Sequence, residues 1–496
     1  LDGKWFNVYC GISRCNSALR AIRNLADSNS SKAVRFAEIS VIRAHWYFEL
    51  VRHFNRIPYM DLDLKEAEYV NVRNDEFTRA QHLARIASEL MEAARTLPDY
   101  QDEIGRINRR MALAYAAKVK LYQAYEQDPQ TNAVINIDKN LMQEVVDIID
   151  GLQGYDLLSD FQDLDKLEYE NGPESVFAVQ FSKDDTSGGA GRVNWSMLLN
   201  SMQGDNCPWA GDGFFLPSQD LINAYQTDEN GLPVFDYQSR PDYAAVESYE
   251  VTRDADGNEV KNPDGSNAYT FRISNTSPSV DPRLDFVVGR PTIRYKTYAD
   301  HAMGPWVRDP GAYGLNNTKR FWLSPESADA MQGWPWGASA LNWQIIRYAD
   351  LLLYKAEALI EIGGAGLEEA RQLINRVRRR AMESAYVKDF SDPSRDAANY
   401  RIGLYPAIGW NQDYARQALR TEMRLEKAME GERFFDLVRW GIARDTMNRY
   451  FAAERDNRAY YANSSFEPGM EYYPVPTAQY NFSGGIYVQN PGYSGF

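Results

Sequence analysis

The chain has 496 residues, 44% hydrophobic and 25% charged, a globular balance that excludes disorder and fibrous repeats and leaves room for two or three domains. Its 54 Lys and Arg stand against 69 Asp and Glu, a formal charge of −15 that repels phosphate backbones, so no nucleic-acid partner is expected. No apolar run approaches the roughly 20 residues of a membrane span, and four histidines and three cysteines beside 32 Tyr, 21 Phe and 11 Trp make the chain poor in reaction chemistry and rich in flat apolar surfaces.

Leu1-Asp2-Gly3-Lys4 is no initiator sequence, and neither a charged n-region nor an apolar h-region follows, so an upstream segment carrying any targeting signal is expected to have been removed. From Trp5 the pattern is already helical. Cys10 and Cys15 sit five apart on that helix, which puts their Cα atoms roughly 8 Å apart and beyond bridging range. Cys207 has no near partner, so free thiols are expected and the redox compartment stays open. Between Ala33 and Phe54 the residues Phe36, Ile39, Ile42, Trp46, Leu50 and Phe54 recur at helical steps until Pro58 ends the run. Thr78 caps a second stripe (Ala80, Leu83, Ile86, Leu90, Ala94) that Leu97-Pro98 stops. Residues 106–126 predict a third helix, and Lys139 to Gly151 a fourth.

At about residue 183 the composition changes. From there to about 343 the chain is rich in Gly, Pro, Asn and Trp, with short strand-like pieces at Tyr269–Ile273 and Phe286–Val288 and a similar piece, Ser175–Phe181, leading in. Asp256-Gly257 and Asp264-Gly265 read as hairpin turns, while an EF-hand reading of Asp254, Asp256, Asn258 and Asp264 fails because Glu259 and Gly265 stand where glycine and glutamate are needed. Seven of the eleven tryptophans fall here: Trp195, Trp209, Trp306, Trp322, Trp334, Trp336 and Trp343.

Helix returns at Trp343. Residues 346–361 and 367–381 predict a helix pair broken at Gly363-Gly364 and Gly366, the shape of a tetratricopeptide unit on which roughly three other pairs could stack. The tail from about Asn457 is irregular and Tyr-rich. The expected fold class is mainly α, a tetratricopeptide-like superhelix of helix pairs with a loop-rich insertion containing short strands. Its expected division is 1–182, 183–343, 344–456 and a tail, 457–496.

Five landmarks carry a resemblance. They are Arg43-Ala44-His45-Trp46-Tyr47-Phe48-Glu49-Leu50-Val51-Arg52 with Ile57-Pro58; Arg347-Tyr348-Ala349-Asp350 with Leu352-Leu353 and Ala356-Glu357-Ala358; Asn375-Arg376-Val377-Arg378 with Ala381; Glu430-Gly431-Glu432-Arg433-Phe434-Phe435-Asp436-Leu437-Val438-Arg439-Trp440-Gly441; and Gln489-Asn490-Pro491-Gly492-Tyr493. In this order they resemble the SusD/RagB outer-membrane nutrient-binding lipoproteins. The resemblance implies a non-catalytic protein without cofactor or metal, lipid-anchored on the extracellular face of the outer membrane. Such a protein captures an oligo- or polysaccharide and delivers it to a SusC-like TonB-dependent transporter. Members begin with a lipidated cysteine and an early segment that often contributes to the ligand site; neither is present here, and Cys10 and Cys15 are not that cysteine. A peptide-capturing RagB-like member is one alternative, a glycoside-active enzyme another.

Sugar rings present apolar C–H faces to Trp and Tyr and need polar partners at the rim. The expected ligand-binding residues are Trp306, Tyr295, Tyr298, Trp195, Trp209, Trp334 and Trp336, with Asp300 and Arg308 as polar neighbours. Packing of the insertion onto the helices is the alternative for any one ring, but at least two of the seven tryptophans are expected to line the ligand. Trp306 is the residue whose loss should abolish binding without loss of stability, because Tyr298 to Gly314 reads as a loop. Glu422, Glu426 and Glu430 recur every fourth residue on one helix face. They predict an ion network with Arg347, Arg376, Arg378 and Arg424 rather than a catalytic or di-iron site.

Overall fold

The computed structural model describes residues 1–26, 28–183, 192–194, 202–204, 207–209, 211–297, 302–331 and 337–495. Five helices come first: α1 (Asp2–Arg23), α2 (Lys32–Phe54), α3 (Arg79–Thr96), α4 (Arg109–Ala124) and α5 (Lys139–Asp150). Local chemistry sets their ends. The Thr78 hydroxyl accepts the Gln81 N–H at 3.3 Å while Gln81 Oε1 accepts the Thr78 N–H at 2.8 Å, a reciprocal cap that starts α3. Asp138 caps α5 by accepting from the Asn140 and Leu141 N–H groups.

The third helix ends at Ala124, two residues earlier than its periodicity suggests, because Tyr125 opens strand β1 (Tyr125–Gln127), paired with β2 (Val134–Ile137). Tyr125 turns its hydroxyl to Glu357 Oε1 at 2.7 Å in the core, a tertiary contact that outweighs helix propensity.

After β3 (Ser175–Val179) the chain leaves the helices. It forms α6 (Gln219–Ala224), the hairpin β4 (Ala245–Val251) and β5 (Tyr269–Ser274), then α7 (Arg283–Val287) and β6 (Val288–Gly289). α8 (Pro310–Tyr313) follows, with β7 (Asn317–Thr318) paired to β6 and β8 (Ala330–Met331) paired to β9 (Ala338–Ser339). The expected turns sit at Gly257 (φ 84°) and Gly265 (φ 85°), where Asp254 Oδ1 accepts the Asp256 and Asn258 N–H groups. Phe286–Val288 is mostly the end of α7 and not a strand, because Asp281 and Arg283 pull this segment into a buried turn. The chain returns on β10 (Trp343–Arg347), antiparallel to β3 with Trp343 opposite Val179 and Arg347 opposite Ser175, so exit and re-entry are neighbours.

The helices resume with α9 (Tyr348–Ile362), α10 (Gly366–Glu383), α11 (Gln412–Glu426), α12 (Arg433–Arg439), α13 (Ala443–Glu454) and α14 (Thr477–Phe482). Each of α1 to α5 packs on the next, α5 packs on α9, and α9, α10 and α11 pack on one another, so the helical stack continues across the intervening segment. This is the mainly α architecture expected, and no helix among the described residues is long and apolar enough to cross a membrane. No disulfide joins Cys10, Cys15 and Cys207, and burial pushes the Cys15 thiol up to about 11.

A buried ion seam joins the middle segment to the helices. Arg283 is 0% exposed; it donates to Glu422 at 2.6 Å, to Glu426 at 3.1 Å and to Asp281 at 2.7 Å. Arg378 reaches the other Glu422 oxygen at 2.9 Å, Arg347 reaches Glu426 at 2.7 Å and Glu174 at 2.9 Å, and Arg380 also contacts Glu426. The expected network therefore exists, with corrections. Arg376 pairs with Asp156 and Arg424 with Asp220, while Arg283, Arg320 and Arg380 take the central places. Glu430 is not on the helix, since α11 ends at Glu426 and Met429 turns the chain at φ 65°. It still meets Arg320 at 2.8 Å and Arg347 at 3.0 Å. Burial opposes the charge on Glu426, but Arg380, Arg347 and Arg283 outweigh it and hold the carboxyl below its ordinary value. Burial likewise opposes Glu430, which Arg347 and Arg320 hold at about 2.

Candidate ligand-binding site

Trp209, Tyr295 and Trp306 do not form an open platform. Each is at most 2% exposed, within an inner cluster that includes Met202, Met303, Phe321, Trp322 and Leu341. Trp306 stands edge-on to Tyr295, ring centres 5.9 Å apart, and Trp209 lies 5.0 Å from Trp322 with its Nε1–H donated to the Leu323 carbonyl at 3.0 Å. A Cβ on Gly337 would come within 2.0 Å of the Trp209 ring, so the backbone closes directly over it. The correction has a physical reason. A segment with only short strands and helices has little regular structure to bury, and large indoles close such a core with few residues. Tyr298, Trp195, Trp334, Trp336 and Asp300 lie outside the described residues. Of the four expected residues that are described, Arg308 is the one that lines an aromatic recess, exposed and with its guanidinium 5.2 Å above the Phe214 ring.

That recess has a volume of about 220 Å³ and is built by three stretches far apart in sequence: the loop 212–218, the α8 turn with Arg308, and the end of α13 with the turn after it. Four of its rings are open to solvent: Phe214 (48%), Phe215 (46%), Tyr313 (39%) and Tyr460 (52%). Gly213 (φ 68°) and Phe215 (φ 57°) fold the first loop back on itself. A bulky residue in the left-handed region is strained, and such strain concentrates at functional positions. Asp309 caps α8 by accepting the Ala312 N–H, which fixes Tyr313 at 6.2 Å from Tyr460. On α13, Tyr450 and Glu454 are four residues apart and share a face. The hydroxyls of Tyr450 and Tyr461 meet at 3.1 Å, and Tyr461 packs 4.4 Å from Tyr460.

Arg458 forms part of the wall, donating from Nη1 to the Asn457 carbonyl at 2.6 Å. Gly314 makes room for it: φ is 81°, and a Cβ there would lie 2.0 Å from Arg458 Nη2. Two carboxyls border the recess, Asp212 and Glu454. Glu454 is buried, which pushes its carboxyl up, and its Oε1 accepts the Asp220 N–H at 2.6 Å, satisfying the start of α6 rather than facing a ligand. The arrangement offers ring faces, phenol hydroxyls and two guanidinium groups, which suits a ligand with apolar faces and polar edges.

A second recess, about 210 Å³, has a different character. It lies among His45, Trp46, Arg52, Lys118, Asp350 and Glu432, and its charges are spent on one another. Arg52 meets Glu432 at 2.9 Å and Glu49 at 2.6 Å, Lys118 meets Glu432 at 3.1 Å, and Lys427 meets Asp350 at 2.6 Å. His45, held neutral by burial with its pKa down at about 4, has Nδ1 2.7 Å from the Tyr115 hydroxyl. Of these residues His45, Trp46, Arg52, Asp350 and Glu432 come from three of the five sequence landmarks, so those landmarks mark the ion-paired interior and not the aromatic recess.

The fold is a superhelix of paired helices that carries a loop-rich segment with an open aromatic recess. Residues 173–493 match the SusD family, and residues 2–121 match a SusD-like family described as starch-binding and associating with the outer membrane; the chain belongs to the SusD family. It is 24% identical over 492 residues to SusD-like protein P2 of Formosa agariphila, covering 99% of this chain and 80% of that protein. A SusD-like protein from Bacteroides fragilis superposes with a TM-score of 0.68 at 20% identity, covering 99% of this chain and 86% of that one. A laminarin-binding SusD-like protein (TM-score 0.58, 22% identity, 99% and 85%) and surface glycan-binding protein A from Bacteroides fluxus (0.63, 20%, 99% and 85%) share the fold.

Proposed function

We propose that this chain is a non-catalytic glycan-binding protein that captures an oligo- or polysaccharide in the recess between Phe214, Tyr313 and Tyr460. It hands the glycan to a SusC-like TonB-dependent transporter, and a lipid anchor on a preceding segment holds it at the extracellular face of the outer membrane. The observation that carries the reading is the set of solvent-open rings backed by tyrosine hydroxyls and arginines, in a family with surface glycan-binding members. Outer-membrane association is supported by the match of residues 2–121. Binding rather than hydrolysis is favoured because Glu454, one of the two carboxyls at the recess, is tied to the Asp220 backbone.

A few stacked rings and exposed hydrogen bonds leave little free energy after ordering costs, so Kd for a short oligosaccharide should lie at about 10 μM to 1 mM. The test is affinity gel electrophoresis against a polysaccharide panel with reducing ends assayed in parallel. Retention without new reducing ends, lost in Tyr460→Ala, supports the reading; new reducing ends, or retention only on a peptide column, contradict it.

A further inference from the structure

We infer that the ligand of this recess is an anionic glycan, one whose sugar units carry carboxylate or sulfate groups. The inference rests on the preceding reading that the recess binds glycan, and it names the class.

The observation is two arginines, without an ion pair among the described residues, that line the same aromatic recess in a strongly acidic chain. The fully buried arginines are matched, among them Arg283 with Asp281, Glu422 and Glu426, Arg347 with Glu174, Glu426 and Glu430, and Arg439 with Glu357 and Asp436. Among the described residues neither Arg308 nor Arg458 forms an ion pair, although the chain carries 69 acidic side chains against 54 basic ones. The acids at hand form no close pair with them, Glu454 acting on Arg458 only at longer range. Glu454 is buried and engaged by the Asp220 N–H, and Asp309 caps α8. Asp212 shares the lining but pairs with neither arginine.

Geometry gives both guanidiniums a use. The Arg308 guanidinium carbon sits 5.2 Å over the Phe214 ring centre, and a guanidinium can grip a planar or tetrahedral oxyanion with two parallel N–H bonds. Arg458 is held by the Asn457 carbonyl and by the space that Gly314 leaves. One anionic substituent between them would gain two charge-assisted contacts, while the rings at Phe215, Tyr313 and Tyr460 hold the apolar sugar faces. The overall charge of −15 repels polyanions from the rest of the surface, so such a ligand would dock where the local field reverses.

The test uses the full chain and three probes on affinity gels: polygalacturonate for carboxylate, dextran sulfate for sulfate, and laminarin as the neutral control. The expected result is retention by at least one anionic probe, weakened about tenfold or more in R308Q and in R458Q while melting temperature holds. Which anionic probe is retained assigns the substituent. If laminarin alone is retained, and R308Q leaves that retention intact while Tyr460→Ala removes it, the anionic inference fails and the glycan site stands. If anionic retention is unchanged by both arginine variants and by Tyr460→Ala and vanishes with added salt, binding is diffuse ion exchange and this inference fails. If no probe is retained, the inference fails for both substituents.

Discussion

The ion seam and the aromatic recess treat the same side-chain chemistry in opposite ways. In the seam, charges from β10, α10, α11 and the middle segment meet at 2.6 to 3.1 Å with essentially no exposure, and each carboxylate serves two or three guanidiniums. In the recess, rings that could have been buried stay open, a phenylalanine accepts a left-handed backbone, and two arginines stand without carboxylates among the described residues. Buried pairs of this kind fix how segments distant in sequence fit together. Open rings and unpaired arginines contribute little to that fit and remain available to a ligand. What separates structure from function in this chain is therefore whether a group's partners are already in the protein.

The largest effect should come from breaking the seam. Glu426→Ala leaves Arg283, Arg347 and Arg380 short of a shared carboxylate and should cost about 3–5 kcal/mol in urea denaturation, with unfolding as the extreme outcome. Acid should act on the same groups. Glu426 and Glu430 have carboxyls depressed below their ordinary 4.5, Glu430 to about 2. The stability they contribute is complete above about pH 5 and is lost as pH falls through about 4 toward 2, which melting temperatures across that range would show.

The scaffold was legible in the sequence because helices announce themselves through periodicity and caps. Thr78, Pro58 and the Gly363–Gly366 break marked real ends. The seam was half legible: the four-residue spacing flagged Glu422 and Glu426, but Arg283 and Arg320 arrive through tertiary structure that spacing does not encode. The recess was least legible. Tryptophan counting pointed to Trp209 and Trp306, yet the number of rings in a loop-rich segment does not say which face inward. The signals that existed were quieter: Phe214-Phe215 beside Gly213, and a Tyr-rich tail holding Tyr460 and Tyr461. Nothing in one dimension joins residues 214 and 460.

Smaller effects sharpen the contrast within the recess. Gly314→Ala should cost about 1–3 kcal/mol, because φ 81° with ψ −163° is a glycine-only conformation, and push Arg458 out of the wall, weakening anionic ligands more than neutral ones. Phe215→Gly should separate stability from binding. Relief of the left-handed strain keeps the melting temperature level or raises it by the equivalent of up to about 1 kcal/mol, while loss of a ring lowers affinity about 5- to 30-fold. A fall in both would mean that Phe215 belongs to the scaffold.

The most direct measurement pairs one open ring with one closed ring: ligand retention and thermal melting of Tyr460→Ala and Trp306→Ala on the same retained polysaccharide. Tyr460→Ala should lose retention at an unchanged melting temperature. Trp306→Ala should melt lower, having lost its packing on Tyr295, and still bind where it remains folded. Trp306→Ala with wild-type melting and no retention, beside a Tyr460→Ala that binds normally, would place the glycan on the inner cluster and contradict this account.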